Sequence, residues 1–516
     1  MKQFFRTKTA LWLALPIGAA LSLAFAPFDW WPLAVLCPAF LFLAWNDAAP
    51  RRAAKVGFLF TAGTYLAGTY WLYHSIYEIG HAPIWLTLIA MLGLVAIMGA
   101  YTALVGYAVT RWIHVAGAIR WLLVLPAAIV ILEWFRGWFL SGFPWLALGY
   151  TQIDTPLAGL APLGGVYSVS FAVTICAGAV VTLVLGSLRA RVAAICAIAA
   201  IWVTGFIFHG HEWTEPVRSP VTVAIVQGAV PQDMKWDKQQ FEATLELYRN
   251  LTTPHLGAQI IVWPESALAA PEYLLGDFLG RQWVEARQRG STLVLGQLRH
   301  VSDRDVYHNA ILAMGDEAQW YAKRRLVPLS EFFPVPEFMR DWLRGMDLPY
   351  SGFEAGARLQ PALDAGSEKL GVTICYEDAY ASEQLDVLKE ATLLVNVTND
   401  AWFGDSTAAH QHLQISRMRA LEAGRPLLRA ANDGVSAIIG AGGEVKEALP
   451  RFQPGVLTGV VQPRSGLTPY ARVGNTPIVS LCSLLLLAGL WSAAAQRLLQ
   501  LRTKREAPVA SRSGAS

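Results

Sequence analysis

One cysteine of this chain has the sequence setting of a nucleophile. It lies in the stretch KLGVTICYEDAY, where the apolar run from Gly371 to Ile374 predicts a buried strand and Cys375 follows at its carboxyl end. The polar residues after it have helix character, so we expect the thiol at a helix amino terminus, a position that lowers its pKa. The alternative is a small core residue, because free cysteine is often buried.

Two charged side chains supply what such a nucleophile needs, a base for its proton and a positive group for the oxyanion. Glu265 follows the apolar pattern QIIVW, and we expect partial desolvation to raise its pKa and make it a useful base. Lys323 follows the predicted hairpin HNAILAMGDEAQWYA, and Glu331 comes after it in PLSE. Each residue alone fits a solvated or structural role. Together, Glu265, Lys323 and Cys375 at three strand ends favour a catalytic site.

Histidine is the more usual base, so His410 and His412 are the competing candidates. Both lie at the start of an amphipathic helix pattern, where we expect capping and surface polarity rather than chemistry. A metal site is not indicated either, because no third ligand lies at a suitable spacing. We therefore expect substitution of either histidine to leave the chemistry largely intact.

The region around these residues predicts an α/β domain. Strand patterns alternate with helical ones such as FEATLELYRNL and HLQISRMRALEAG. The predicted strands cover residues 221–228, 259–265, 292–299, 308–314, 369–376, 391–399 and 436–442.

The rest of the chain predicts a membrane protein. Hydrophobic residues make up 54% of the sequence and charged residues only 15%, against about 25% in soluble domains. A net charge of +3 without a basic aromatic patch argues against nucleic acid as a partner. Eight apolar runs reach the length of about 20 residues that a bilayer requires. They lie near 9–26, 29–46, 56–74, 83–109, 119–138, 164–186, 191–209 and 476–496.

The distribution of Lys and Arg gives these spans an orientation. Basic residues occur at the amino terminus, in alternate loops and in the tail, whereas the intervening loops are nearly free of them apart from Arg136. We expect both termini to be cytoplasmic and the α/β domain to be outside. The basic residues are Lys2, Arg6, Lys8, Arg51, Arg52, Lys55, Arg111, Arg120, Arg189, Arg191, Arg497, Arg502, Lys504 and Arg505.

These patterns divide the chain into domains. We predict a seven-helix transmembrane domain over 1–217, a periplasmic catalytic domain over 218–468, an eighth transmembrane helix over 469–500 and a cytoplasmic tail over 501–516. Cys375 is the only cysteine of the predicted exported domain, so it cannot form a disulfide within it, and this favours a reactive thiol. The other cysteines lie in predicted spans: Cys37, Cys176, Cys196 and Cys482.

The motifs around the three candidate residues resemble those of a known superfamily. WPES, YAKRRLVP with the following glutamate, and GVTICYE resemble the Glu–Lys–Cys motifs of the nitrilase superfamily, whose domain is an α-β-β-α sandwich. FAPFDWWPLA, GFPWLALGYTQ and PLGGVYSVSF, ahead of QGAVPQDMKW and TNDAWFGDS, resemble the apolipoprotein N-acyltransferase family of the bacterial inner membrane. The resemblance covers residues from about 10 to 490.

The resemblance implies a two-step acyl transfer without metal or cofactor. Cys375 would take a fatty acyl chain from a membrane phospholipid as a thioester, with Glu265 as the base. Lys323 and the Tyr376 backbone N–H would hold the oxyanion. The acceptor would be the free α-amino group of the N-terminal diacylglyceryl-cysteine of an apolipoprotein.

Supporting roles are implied for further residues. Glu331 would orient Lys323 and Glu377 would support the site, although a surface salt bridge is an alternative for each. Trp236 and the aromatic segment 332–350 would contact lipid, or form an ordinary loop. A monomer is expected.

Two other functions stay open on the sequence alone. One is a membrane-tethered amidase or nitrilase that hydrolyses small amides and needs a site open to water. The other is a non-catalytic scaffold or transporter, against which the complete Glu–Lys–Cys set and the lack of buried charge pairs in the spans both argue.

Overall fold

The computed structural model describes residues 7–235, 237–303, 306–328, 330–332 and 353–506. A helical part comes first, a domain with two six-stranded β-sheets and a short two-stranded one follows, and a long helix runs on from that domain. The first helices are α1 (Lys8–Leu21), α2 (Leu33–Trp45), α3 (Pro50–Gly68), α4 (Ile84–Trp112), α5 (Gly117–Arg136), α6 (Ala161–Leu185) and α7 (Leu188–Phe208).

A helix lies at each position where an apolar run predicted a membrane span. By length and composition, five helices of the described residues could cross a bilayer, at Ile84–Trp112, Gly117–Arg136, Pro156–Leu185, Leu188–Phe208 and Thr476–Ala493. The helices α1 and α2 are apolar but shorter, and α3 begins with the charged residues Arg51, Arg52 and Lys55. The helical part is therefore consistent with a membrane domain.

Close packing of α1 against α3 depends on two glycines. A Cβ at Gly18 would overlap the carbonyl oxygen of Phe60, and a Cβ at Gly63 would overlap that of Leu15. Small residues at such crossings let helix backbones approach each other, which is typical of packing in membranes.

The sheet domain alternates strands and helices as the sequence predicts. Its elements are β1 (Val221–Gln227), α8 (Lys238–Thr252), β2 (Ile260–Trp263), α9 (Gly276–Gln288), β3 (Thr292–Val301), β4 (Val306–Met314), β5 (Ala318–Ala322), β6 (Leu363–Ala365), β7 (Glu368–Ile374), β8 (Leu393–Thr398), α10 (Ala408–Ala423), β9 (Leu427–Ala431), β10 (Ala437–Ile439), β11 (Val445–Ala448) and β12 (Gly455–Val461). The final helix, α11 (Thr476–Glu506), follows.

Two six-stranded sheets have the same internal arrangement. The first has the order β12-β1-β2-β3-β4-β5 and the second the order β11-β10-β9-β8-β7-β6. In each sheet three neighbouring strands are parallel, β1, β2 and β3 in the first and β7, β8 and β9 in the second. The carboxyl ends of parallel strands meet at one edge of a sheet, so the residues that follow β2 and β7 lie in comparable positions.

The alternation of side chains along the strands builds the layers. In β1, Val223 and Ile225 face a core shared with Val372 and Val395 of the second sheet. The intervening Ala224 faces helices α8 and α9 in a separate core. Helix α10 covers the outer face of the second sheet in the same way. The domain is therefore an α-β-β-α sandwich.

The helix expected after Cys375 is absent from the described chain, which corrects one sequence prediction. Short 3₁₀ turns take its place, at Cys375–Ala379, Ala381–Glu383 and Val387–Lys389. The carboxylate of Glu377 accepts hydrogen bonds from the backbone N–H groups of Ile374 and Arg324, and these bonds fix a tight turn rather than a regular helix.

Strand β9 was not predicted, because Arg429 interrupts its apolar pattern. The arginine is fully buried and pairs with Asp400, a contact that no local pattern reveals. Three further strands were missed: the short β6, the edge strand β11, whose residues are all exposed, and the edge strand β12.

Candidate active site

Lys323 lies between two carboxylates directly after β5. Its Nζ is 3.1 Å from Oε1 of Glu265, which follows β2, and 2.9 Å from Oε1 of Glu331. Lys323 is 1% exposed, and both glutamates are buried. Since burying a charge is costly unless it is paired, these three side chains stabilise one another as a unit. The role of Glu331 as a plain surface salt bridge is therefore wrong.

Asn309 completes this unit, and the sequence analysis missed it. Its Nδ2 donates to Oε1 of Glu265 at 2.7 Å and to Oε1 of Glu331 at 2.8 Å. It lies on β4, the neighbour of the edge strand β5. The signal that could have found it is a lone amide in the apolar run HNAILAM.

The ionised form of Glu265 is favoured, contrary to the sequence prediction. Burial is the largest influence and raises its pKa, but Lys323, Asn309 and Lys235 together outweigh burial and lower it below the ordinary value. The second oxygen, Oε2, accepts a hydrogen bond of 2.9 Å from the backbone N–H of Asn399. A carboxylate that accepts several hydrogen bonds loses its proton more readily.

Lys235 is a second missed residue, directly before Trp236. It is 3% exposed, and its Nζ donates to the backbone carbonyl of Glu265 at 3.2 Å. Burial lowers its pKa to about 8, although Glu265 and Asp433 act in the opposite direction. It adds a second positive group on the Glu265 side of the site.

Cys375 follows β7 as predicted, but its thiol is not activated by a helix terminus. The side chain is 8% exposed. Burial, followed by the charges of Glu265 and Asp400, raises the pKa of the thiol well above its ordinary value, while Lys323 and a hydrogen bond with Thr398 lower it. The prediction of a lowered thiol pKa is therefore wrong. Because the charges of Glu265 and Lys323 both act on the thiol, the three side chains lie in one site.

The backbone of Cys375 is strained. Its φ of 51° lies in the left-handed region, where a residue other than glycine costs about 1–3 kcal/mol. Such strain persists only where neighbouring groups hold it, and it is common at nucleophiles that must project from a sharp turn.

Glu377 holds this turn from one side. Its carboxylate accepts hydrogen bonds from Ile374 N at 2.8 Å, from Arg324 N at 2.6 Å and from the hydroxyl of Tyr321 at 3.0 Å. It is fully buried, so the alternative of a surface salt bridge is wrong. Because Arg324 directly follows Lys323, this carboxylate connects the cysteine turn to the lysine.

Tyr376 and Tyr380 connect the same turn to the helical part. The Tyr376 hydroxyl donates to the carbonyl of Gly142 at 3.3 Å, and the Tyr380 hydroxyl donates to the carbonyls of Ser141 and Gly142 at 3.1 Å each. The loop that follows α5 is therefore in direct contact with the nucleophile turn.

His412 is buried beneath the turn, so the expected surface position is wrong. Its Nδ1 lies 2.9 Å from Asp400 Oδ1, and its Nε2 lies 3.0 Å from Asp378 Oδ1 and 3.1 Å from the Cys375 carbonyl oxygen. No local sequence pattern indicates this position, because both aspartates belong to other segments. His410, two residues earlier, is only half-buried. Trp236 lies outside the described residues, and so does the segment 332–350, which was also expected to contact lipid, except for Phe332.

Comparison with known proteins matches both parts of the chain. Residues 17–179 match the apolipoprotein N-acyltransferase N-terminal domain, and residues 222–470 match carbon-nitrogen hydrolase. The chain is 41% identical over 480 residues to apolipoprotein N-acyltransferase of Methylococcus capsulatus, covering 92% of this chain and 94% of the relative. It is also 41% identical over 503 residues to that of Azotobacter vinelandii, covering 96% of both chains.

The chain belongs to the apolipoprotein N-acyltransferase family. The two matched regions coincide with the two structural parts, since the first ends within α6 and the second begins in β1. In this family, then, the helical part and the carbon-nitrogen hydrolase sandwich occur together in one chain, and Glu265, Lys323 and Cys375 all lie in the sandwich.

Proposed function

We propose that Cys375 carries the acyl group from donor to acceptor. Its sulfur attacks the ester carbonyl carbon of a membrane phospholipid while Glu265 takes the thiol proton. Lys323 and the Tyr376 backbone N–H stabilise the negative charge on the carbonyl oxygen. The carbon–oxygen bond then breaks, the departing alkoxide takes the proton from Glu265, and a thioester remains on Cys375 beside a lysophospholipid.

The second half-reaction forms an amide. As its family name states, the chain is an N-acyltransferase that acts on lipoproteins. The free α-amino group of the N-terminal diacylglyceryl-cysteine attacks the thioester carbonyl, and the carbon–sulfur bond breaks. The amine proton passes through Glu265 to the Cys375 thiolate, which restores the resting site. The conversion of a thioester to an amide is downhill, so the step requires no other source of energy.

A lipid donor is supported by the contact between the nucleophile turn and the helical part. Tyr376 and Tyr380 hydrogen-bond the loop at Ser141 and Gly142, and this loop directly follows a run of exposed apolar side chains. The exposed fractions are 47% for Trp138, 40% for Phe139 and 67% for Leu140. Exposed aromatic side chains next to a membrane helix suit the lipid interface. Cys375 itself is only 8% exposed, so little of it is open to water, which favours acyl transfer over hydrolysis.

The test is the mass of the intact protein isolated from membranes. Cys375 is expected to carry a fatty acyl group, because phospholipid is abundant and the acceptor is scarce. Neutral hydroxylamine should remove the adduct, and Cys375→Ala should lack it. A diacylated lipopeptide with a free amino terminus should discharge it, whereas the acetylated lipopeptide should not.

Two results would contradict this function. Discharge by water at the same rate without lipopeptide would identify a hydrolase. No adduct under any condition would identify Cys375 as a structural residue.

We further propose that the chain crosses the bacterial inner membrane at all eight predicted spans, with the sandwich domain in the periplasm. Support comes from the helix ends that contact the domain. Gly68, at the end of α3, and Val166, near the start of α6, hydrogen-bond residues of α10. Neither end carries Lys or Arg. By contrast, Arg52 lies at the opposite end of α3, and Arg189 lies at the start of α7, just after the opposite end of α6, as a cytoplasmic position requires.

A further inference from the structure

The contacts of His412 define its protonation state. Each ring nitrogen faces only hydrogen-bond acceptors, namely the carboxylate of Asp400 at Nδ1, and the carboxylate of Asp378 and the carbonyl oxygen of Cys375 at Nε2. A neutral imidazole would leave one nitrogen lone pair against an acceptor oxygen. Both nitrogens must therefore donate, so that His412 is an imidazolium.

The surrounding charges agree with this state. Arg429 approaches the same two carboxylates, at 2.9 Å from Asp400 and 3.6 Å from Asp378. Two cations and two carboxylates make a buried cluster without net charge. Burial and Arg429 lower the pKa of His412, but Asp378 and Asp400 raise it to about 9.

The bond from His412 to the Cys375 carbonyl fixes a peptide plane. Among the described residues only the Ala26–Pro27 bond is cis, so the Cys375–Tyr376 peptide is trans. In a planar trans peptide the C=O and N–H groups point in opposite directions. A carbonyl directed at His412 therefore directs the Tyr376 N–H away from the cluster. Asn396 assists with a longer bond of 3.4 Å to the same carbonyl.

We propose that His412 is a positioning residue for the oxyanion site: by donating to the Cys375 carbonyl it holds the left-handed turn so that the Tyr376 N–H faces the oxygen of the reacting carbonyl. This inference rests on the proposed function in one respect, the use of that N–H as an oxyanion donor. It reverses the sequence expectation that His412 is dispensable for the chemistry. His412 does not touch the substrate and is not the base.

Two reactions of the same thiol separate this role from a merely structural one. Acylation by p-nitrophenyl butyrate needs both the thiol and the oxyanion site, whereas alkylation by iodoacetamide needs only the thiol. Both rates are measured at Cys375 by peptide mass spectrometry on the full-length protein. Because misfolded protein exposes a thiol that iodoacetamide still alkylates, both rates are measured on the folded, monodisperse fraction of each variant, after neutral hydroxylamine has removed any acyl adduct.

The decisive comparison is between two neutral substitutions. The amide nitrogen of glutamine can take the place of Nε2 and donate to the Cys375 carbonyl, whereas that of asparagine reaches only the place of Nδ1. His412→Asn is expected to lower the ratio of acylation to alkylation at least tenfold, and His412→Gln to restore most of it. Since both variants remove the same charge, a role through charge alone predicts equal ratios and would overturn the proposal.

Two further variants complete the experiment. His410→Asn makes the same change on a neighbouring histidine without a contact to the carbonyl, and its ratio should equal that of the wild type. Asn396→Asp removes the second donor to the carbonyl and should lower the ratio about threefold. If His412→Asn does not fold, the proposal is tested with Asn396→Asp instead. An unchanged ratio of acylation to alkylation in Asn396→Asp contradicts the proposal.

Failure of the inference is distinct from failure of the proposed function. The butyrate ester does not depend on a phospholipid donor. The ratio of acylation to alkylation could fall in His412→Asn even though the isolated protein carries no phospholipid-derived adduct. That result would support the role of His412 and would overturn only the proposal of a phospholipid donor. A wild-type thiol that has been freed of any acyl adduct with neutral hydroxylamine and still reacts with neither reagent overturns both proposals.

Discussion

At the scale of single residues, the resting site holds a protonated thiol beside an ionised carboxylate. Burial raises the pKa of Cys375, and the charge of Glu265 raises it further. For Glu265, burial is outweighed by Lys323 and Asn309, so its pKa is lowered. Transfer of the proton from sulfur to oxygen is therefore uphill in the empty site. In the proposed mechanism the transfer is coupled to formation of the carbon–sulfur bond, when the new oxyanion engages Lys323 and weakens the hold of Lys323 on Glu265.

This coupling makes Lys323 the most sensitive charge of the site. Lys323→Met keeps the length of the side chain but removes the oxyanion donor, and we expect acyl-enzyme formation to slow by about 10²–10³. It also leaves the buried carboxylates of Glu265 and Glu331 without a cation, so the thermal midpoint should fall. Quenched-flow mass spectrometry with a phospholipid donor measures the rate. Lys369→Met, at a surface lysine that pairs with Asp364, is the control and should change neither quantity. Normal acylation in Lys323→Met would remove this residue from the mechanism.

The buried imidazolium predicts a pH dependence of stability. The pKa of His412 is raised from 6.5 to about 9 through the carboxylates of Asp378 and Asp400, against burial and Arg429. Between these pH values the folded protein holds a proton that the unfolded chain releases. The stabilisation is thus complete below pH 6.5 and is lost as pH rises through 9, with a slope of at most about 1.4 kcal/mol per pH unit.

Thermal unfolding of the wild type and of His412→Gln from pH 6 to pH 10 measures this contribution as a difference between two curves. The difference cancels other groups that titrate in the window, notably Lys235, whose lowered pKa acts with the opposite sign. The advantage of the wild type should shrink as pH rises. Parallel curves would mean that His412 is neutral in the folded protein.

The residue types of the site could be predicted from the sequence, but their charge states could not. Glu265, Lys323 and Cys375 each follow a strand whose pattern is local. The pKa of Glu265 depends on burial, Lys323, Asn309 and Lys235, and that of Cys375 on burial, Glu265 and Asp400. These groups meet only when distant strands and loops pack together. Both predicted pKa directions were wrong for this reason.

At the scale of elements, helix α10 joins the sandwich to the helical part through Gln411. Its Oε1 accepts hydrogen bonds from the indole N–H of Trp145 at 2.7 Å and of Trp71 at 3.3 Å. Its Nε2 donates to the carbonyl of Gly68 at 3.4 Å. The side-chain amide of Gln411 thus connects two segments of the helical part, at Gly68–Trp71 and at Trp145, to the helix that also carries His412.

Loss of this amide should weaken the junction between the two parts. Gln411→Leu leaves the buried indole N–H of Trp145 without its acceptor, at about 1–3 kcal/mol. The indole N–H of Trp71 keeps its bond to the Gly68 carbonyl. We expect a lower thermal midpoint in detergent and faster proteolysis between the two parts. Gln288→Leu, on the exposed end of α9, should shift the midpoint little. Equal thermal midpoints of the two variants would show that Gln411 does not stabilise the junction.

Elements with a strong local period were predicted well, and those held by distant partners were not. For β1, β2 and β8, the strand ends predicted from the apolar runs lie within one or two residues of the observed ends. The turn after Cys375 has the composition of a helix. The Glu377 carboxylate nevertheless accepts hydrogen bonds from the backbone N–H groups of Arg324 and Ile374, and these bonds hold a turn instead. Tertiary hydrogen bonds override propensity at that point, which is also where the chemistry is proposed.

At the scale of the whole molecule, one charge had not fitted the proposed orientation. Arg136 lies on the outward side, where Lys and Arg are otherwise almost absent. The structure removes the conflict, because Arg136 is 6% exposed and donates to the carbonyls of Trp145 and Leu146. It is an internal contact of the fold rather than a loop charge, so it does not count in the asymmetry that sets topology.

The remaining asymmetry predicts where each part lies. Reporter fusions at Arg52 and Ser187 should be active in a cytoplasmic assay, such as fluorescence of a cytoplasm-dependent reporter. A fusion at Arg299, within β3 of the sandwich, should be active only with a periplasmic reporter such as a phosphatase. Since α7 leads directly into the sandwich, Ser187 and Arg299 are separated by one span, and their signals must be opposite. A cytoplasmic signal at Arg299 would place Cys375 with the reduced thiols of the cytoplasm and would overturn both the orientation and the argument drawn from cysteine usage. Matching signals at Ser187 and Arg299 would mean that α7 does not cross the membrane.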